Sequence, residues 1–239
     1  MTDSIELTGA PAERAAWPDR LAQGIIIVGV PVLLILFAVR LVMTDAFLRF
    51  EYLRDGFPRD VYGFTTEDRL YYAPYALNYL LNGEDISYLS ELEFLDTRQP
   101  LFNARELRHM FDVKQVTQAA FTSAIVLAFT VLAAMLALRF RHGSRDRLRY
   151  ALMRGAYATF ALIILIVVLA VVGWEVFFTG FHRLFFEGDT WLFAWSDTLI
   201  RLFPEQFWFD AAIAIGVLTI LGALLILLTA SLTKRLTGR

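Results

Sequence analysis

The chain has 239 residues, no cysteine, 57% hydrophobic residues, a mean hydropathy of +0.54 and a formal net charge of −2. Soluble domains carry about 45–50% apolar residues, so composition alone points to an integral membrane protein. The charge argues against a nucleic-acid partner, and the missing cysteine excludes disulfides, thiolate metal sites and acyl thioesters on this chain.

Residues 1–20 are polar, with Pro11 and Pro18, and read as a short cytoplasmic tail. The first apolar run, about 21–43, is too long for a signal-peptide core and lacks an A-x-A cleavage pattern. It reads as a retained signal anchor. Pro31 is expected to kink it. Arg40, near its far end, either snorkels to the headgroups or pairs with Glu175.

Residues 44–118 form the first region between spans, and they carry thirteen acids against eight Lys or Arg. Gly56, Pro58 and Gly63 supply turns. Thr65, with Asp68 three residues on, caps an expected helix over 66–81, which Pro74 should break or bend and Asn82-Gly83 should end. Seven of the nine tyrosines fall within 52–88, a pattern that suggests anchoring at a membrane interface. Residues 86–101 read as an irregular connector.

The stretch FNARELRHMFDVK, 102–114, is the most informative. Asn103 is a good N-cap, Glu106 stands at the third helical position, and Phe102 and Leu107 make a hydrophobic staple. A helix is therefore expected from Ala104, with nothing to stop it before the second span, about 119–138. Arg105, His109 and Asp112 are spaced by four and three residues and share one face. Asp112 either orients the His109 imidazole or engages Arg108. Glu106 has a ready capping role.

The segment 139–154 holds six arginines and one acid, and Lys234, Arg235 and Arg239 end the chain. The positive-inside rule then puts 139–150 and both termini in the cytoplasm. His142 reads as a solvated loop residue. A third span is expected at about 151–178 and a fourth at about 209–232, in which Gly216 and Gly222 suit close helix packing. Between them, 179–208 carries His182 and a run of Phe and Trp. Asp189 or Thr190 caps an expected amphipathic helix over about 191–203, stopped by Pro204. The fold class is thus an all-α integral membrane protein: a domain over 21–233, four transmembrane helices, and two extracytoplasmic regions, 44–118 and 179–208, with interfacial helices. The tail 234–239 is cytoplasmic.

His109 and His182 fall at one membrane depth, each with an arginine and an acid nearby: Arg105 and Asp112, Arg183 and Asp189. Histidine is the side chain best suited to proton transfer near neutral pH. A hydrolase with its own nucleophile has little support, because G-x-S-x-G is absent and Ser87, Ser90 and Ser196 stand in no distinguishing context. H-E-x-x-H is absent too, and two histidines with Glu106 or Asp112 make a thin metal set. No metal and no cofactor are expected. Acid–base catalysis on a substrate that brings its own nucleophile needs only the two histidines.

The blocks EYLRDGFPRDVYGFTTEDRLYY, DISYL, FNARELRHMFDVK, FHRLFFEGDTWLF and SDTLIRLFPEQFWFDA resemble the lipoprotein intramolecular transacylase (Lit) family of bacterial membrane proteins, over roughly 21–233. The resemblance implies a four-helix fold in the bacterial cell membrane with an outward-facing site. It implies a substrate, the diacylated N-terminus of a lipoprotein, and a reaction that moves the sn-2 acyl chain of the diacylglyceryl-cysteine to the cysteine α-amino group. The product is a lyso-form lipoprotein. The family's catalytic histidines carry over onto His109 and His182. Arg105, Asp112, Asp189, Asn103 and Glu106 are expected to support them or orient the substrate. The competing readings are an acyltransferase or lipase acting on another membrane lipid, a metal enzyme, and a non-catalytic membrane interaction protein. If the histidines serve one substrate, they should stand within about 4–8 Å, by direct or water-linked proton transfer.

Overall fold

The computed structural model describes residues 17–141, 145–186 and 188–237, which form nine helices and, apart from one isolated bridge between Glu93 and Pro100, no β-structure. Most of the expected N-terminal tail, and His142, lie outside the described residues. Four helices have an apolar stretch long enough to cross a membrane: α1 (Trp17–Val42), α5 (Ala104–Phe140), α6 (Arg145–Val172) and α9 (Glu205–Thr237). The protein is a multi-pass, all-helical membrane protein.

α1 is the hub and packs against α5, α6 and α9. Small residues let the backbones approach. A Cβ on Gly155 of α6 would stand 2.9 Å from Val30 Cβ, and one on Gly222 of α9 would stand 2.7 Å from Leu34 Cδ2. Gly216, the other expected packing glycine, faces open space. Val28, Phe129, Ile164 and Leu225 point outward, as residues facing lipid should. Pro31 lies inside α1 and is buried. At the arginine-rich end, the buried Asp19 carboxylate pairs with Arg147 and, at 3.2 Å, with Arg141. Arg40 donates to Met43 O at 3.1 Å and does not reach Glu175.

The other helices are short: α2 (Asp45–Leu53), α3 (Thr66–Leu81), α4 (Ser87–Ser90), α7 (Trp174–Phe185) and α8 (Thr198–Leu202). Together with the first turns of α5 and α9, α2, α3, α4 and α8 form a cap with its own core, which includes Tyr52, Tyr72, Leu89, Phe102, Leu202 and Phe207. α3 starts at the expected cap, Thr65 and Asp68 forming a reciprocal capping box, and ends at Asn82. It runs through Pro74, because the residues around the proline, Tyr72, Ala73, Ala76 and Leu77, are buried and hold the turn in place. Tyr52, Tyr72 and Tyr79 are core residues rather than interfacial anchors. The Tyr52 hydroxyl donates to Leu202 O at 2.9 Å, and the Tyr72 oxygen accepts from Leu95 N at 3.0 Å. Tyr62 and Tyr71 remain exposed.

The third long helix differs from expectation. It begins at Arg145 and ends at Val172, where Gly173 takes an extended backbone and α7 starts afresh. α7 has no buried residue and is strongly amphipathic, with Val176 and Leu184 widely exposed. An amphipathic pattern suits a helix lying at an interface better than the end of a span. The expected helix over 191–203 shrinks to α8, one turn long, preceded by Asp197 rather than by Asp189 or Thr190. Residues 192–194 stay outside any helix, with Leu192 O taken up by Arg105 of α5 and Ala194 N by Asp197.

Candidate active site

α5 contains 37 residues, about 55 Å at 1.5 Å per residue, against a hydrocarbon core of about 30 Å. Its polar first third, 104–118, therefore stands beyond the apolar run. Asn103 caps it as the spacing predicts: its Oδ1 accepts from Arg105 N at 2.9 Å and Glu106 N at 3.0 Å, and Glu106 Oε2 accepts from Asn103 N at 2.8 Å.

The same three residues clasp a distant segment. Glu106 Oε1 accepts from Leu199 N at 2.6 Å. Asn103 Nδ2 donates to Asp197 Oδ1 at 3.1 Å, and Asp197 Oδ2 accepts from Ala194 N at 2.8 Å. Arg105 Nη1 donates to Leu192 O at 3.1 Å. The Thr198 hydroxyl donates to Leu101 O at 2.5 Å. These bonds lay residues 192–199 across the first turn of α5 and fix Phe193 against His109 and Trp191 against His182. Glu106 is 1% exposed. Burial pushes its carboxyl above the usual range, and the backbone N–H groups of Asn103, Leu199 and Thr198 pull it back.

His109 is buried, and its ring lies edge-on to Phe186 at 5.0 Å and Phe193 at 5.3 Å between centroids. His182, on α7, lies 6.2 Å away, with the two ring planes only 23° apart. It is flanked by Phe178 at 4.2 Å and Trp191 at 4.8 Å. With Phe181, 5.7 Å from His182, five aromatic side chains from α7 and the segment after it wall the pair. His182 Nδ1 stands 2.8 Å from Phe178 O. A carbonyl can only accept, so in the neutral ring the proton sits on Nδ1 and Nε2 keeps a free lone pair. His109 Nδ1 is buried with no hydrogen-bond partner.

Desolvation lowers both imidazoles, because burial penalises the charged form. His109 falls to about 4, with the nearby His182 adding to the effect. For His182 burial dominates, and the Phe178 carbonyl partly offsets it. Both rings are neutral at pH 7.

The other expected site residues are placed differently. Asp112 pairs with Arg108 at 3.3 Å and leaves His109 alone, the second of the two arrangements open to it. Asp189 is exposed; what His182 bonds to is a backbone carbonyl. The Arg105 guanidinium is exposed and is tied through Nη1 to Leu192 O. Asn103 and Glu106 act through the clasp. Trp191, Phe193, Phe178 and Phe186 escaped the sequence reading, which took the aromatic run as interfacial. The signal for the clasp was Ser196-Asp197, a capping sequence just before TLIRL. Among the described residues, no group of three His, Asp or Glu side chains converges as a metal site.

A sequence model described as "Lipoprotein intramolecular transacylase Lit" matches residues 24–208. An uncharacterized protein of Aquifex aeolicus (strain VF5) is 29% identical over 216 residues, covering 90% of this chain and 96% of its own. The in meso structure of the membrane integral lipoprotein intramolecular transacylase Lit from Bacillus cereus superposes with a TM-score of 0.71 at 20% identity. That match covers 92% of this chain and 98% of the other. A form of the same protein with a histidine-to-alanine mutation gives a TM-score of 0.69 at 17% identity, covering 92% and 96%.

Proposed function

The chain belongs to the lipoprotein intramolecular transacylase (Lit) family and is a membrane transacylase, and from that premise we propose that His109 and His182 drive an acyl shift within one substrate molecule. The sn-2 acyl chain of a diacylglyceryl-cysteine N-terminus moves to the cysteine α-amino group. The observation that carries this reading is two desolvated imidazoles 6.2 Å apart, inside the separation that one substrate can bridge.

The chemistry follows from what the site holds. The substrate amine attacks the ester carbonyl carbon, a C–N bond forms, and the carbonyl π pair moves to oxygen. His182 Nε2, free because Nδ1 faces Phe178 O, takes the amine proton. The C–O bond to glycerol then breaks, and the departing oxygen receives a proton from the histidine pair. No acyl-enzyme forms, in keeping with a chain that has no cysteine. Amine and ester on one molecule give effective molarities of up to about 10⁵–10⁸ M once oriented, so alignment supplies much of the acceleration. The aromatic walls exclude the water that would otherwise hydrolyse the ester.

A pH–rate profile tests this mechanism. Both histidines are lowered, so each stays in its basic form below the ordinary histidine value of about 6.5, and the substrate amine, at about 7.7–8.0, limits the reaction. The expected kcat/KM rises with pH through one inflection near that amine value. A second inflection near 6.5 contradicts the neutral pair. The same shifts predict a loss of stability as pH falls below about 6.5. There the unfolded chain takes up protons that the desolvated rings refuse.

We place the cap, and with it the site, on the extracytoplasmic side, with spans at about 21–43, 119–138, 146–172 and 209–232. The support is the six arginines of 139–154 at the opposite end. The cysteine-free chain makes the test simple. A Tyr62→Cys variant should react with an impermeant maleimide in intact cells, and Ser144→Cys only after permeabilisation. The reverse pattern inverts the topology.

A further inference from the structure

Among the described residues, three buried side-chain polar atoms have no hydrogen-bond partner: His109 Nδ1, Thr190 Oγ1 and Trp191 Nε1. A buried polar group left unpaired is costly, so each such atom needs a reason. These three belong to one small region. The Trp191 ring lies 4.8 Å from His182, the His109 ring lies 6.2 Å from His182, and Thr190 precedes Trp191. The three atoms are not equivalent. Imidazole nitrogen and hydroxyl can each donate or accept, whereas an indole N–H only donates. Trp191 is 9% exposed, and its N–H can be satisfied only by an acceptor that the protein does not provide.

We infer that Trp191 Nε1–H is the hydrogen-bond donor for the acyl carbonyl oxygen and for the oxyanion that forms on it, which makes Trp191 a catalytic residue. The inference rests on the acyl-shift reading. The oxygen needs a donor as the amine adds and the carbonyl pair moves to it. His182 cannot be that donor while Nε2 accepts the amine proton and Nδ1–H faces Phe178 O. Arg105 is a poor candidate for a dry site, since it is solvent-exposed and anchored through Nη1 on Leu192 O. A donor aimed where charge develops, in a dry site, stabilises the transition state more than the ground state. The clasp explains why the donor holds still. Arg105 fixes Leu192 and Asp197 fixes Ala194, so the residues that follow Trp191 are pinned to α5.

The test uses two variants of the full-length protein in detergent or nanodiscs, with a synthetic dipalmitoylglyceryl-cysteinyl peptide. Trp191→Phe keeps an aromatic ring against His182 and removes the donor. Replacing Trp191 by β-(3-benzothienyl)alanine keeps the bicyclic shape and removes only the N–H. Both should lower kcat by about 10²–10³-fold with KM changed little, the signature of an interaction made in the transition state. The benzothienyl protein should also keep the wild-type melting temperature, which separates the effect from misfolding. A benzothienyl variant with kcat within threefold of wild type overturns the inference and leaves the acyl-shift reading intact. A wild-type protein that yields no lyso-form peptide overturns the acyl-shift reading and takes this inference with it.

Discussion

His182→Ala is expected to lower lyso-form product by about 10²–10⁴-fold, the usual contribution of a positioned general base, while the protein stays folded in the membrane. α7 has no buried residue, so truncating His182 costs local aromatic contacts but leaves the packed cores of the bundle and cap intact. Mass spectrometry of a co-expressed lipoprotein N-terminus reads the loss, and the abundance of membrane-inserted protein reads the fold. His109→Ala should fall as far, but less cleanly. His109 is buried between Phe186 and Phe193, and its truncation opens a cavity. The double variant should be no worse than the poorer single one, because groups that act as a unit are not additive. Undiminished product from either single variant contradicts the proposed pair.

The second large effect is expected at Glu106. Alanine there removes the acceptor of the Asn103 N–H and leaves the Leu199 N–H without its partner. A lost cap costs about 1 kcal/mol, and an orphaned buried donor about 1–3 kcal/mol. A stability loss of roughly 2–4 kcal/mol is therefore expected, read from thermal unfolding in detergent. Activity should fall further than stability explains, because the clasp sets the height of Trp191 and Phe193 over the histidines. Glu106→Gln keeps one amide oxygen for Leu199 N and should lie between alanine and wild type. Equal activity in all three proteins contradicts a positioning role for Glu106.

The legible parts of this chain were those set by local chemistry. Asn103 and Glu106 lie three residues apart, and their capping box follows from helix geometry alone. Thr65 and Asp68 repeat the case at α3. Spans could be read from apolar runs because a bilayer demands about 20 such residues whatever the tertiary structure. Long-range partners were not legible. Nothing near Asp112 in sequence decides between His109 and Arg108, and burial of His109 against Phe186 and Phe193 settles it. The end of α6 was misjudged because apolar residues continue past Gly173, and only their periodicity changes, from uniformly apolar to amphipathic. Buried Tyr52 and Tyr72 look like interfacial tyrosines until the Leu202 and Leu95 backbone groups that satisfy them are known.

The central claim is that acyl chain and acceptor belong to one molecule, and mass makes it directly measurable. An intramolecular shift from ester to amide changes no atoms. Purified protein given a dipalmitoylglyceryl-cysteinyl peptide should yield a product of unchanged mass. Its fragmentation should show one acyl chain on the cysteine nitrogen and one left on the glyceryl group. Loss of one fatty acid would identify hydrolysis, and gain of an acyl chain would identify transfer from another lipid. Either result contradicts the account.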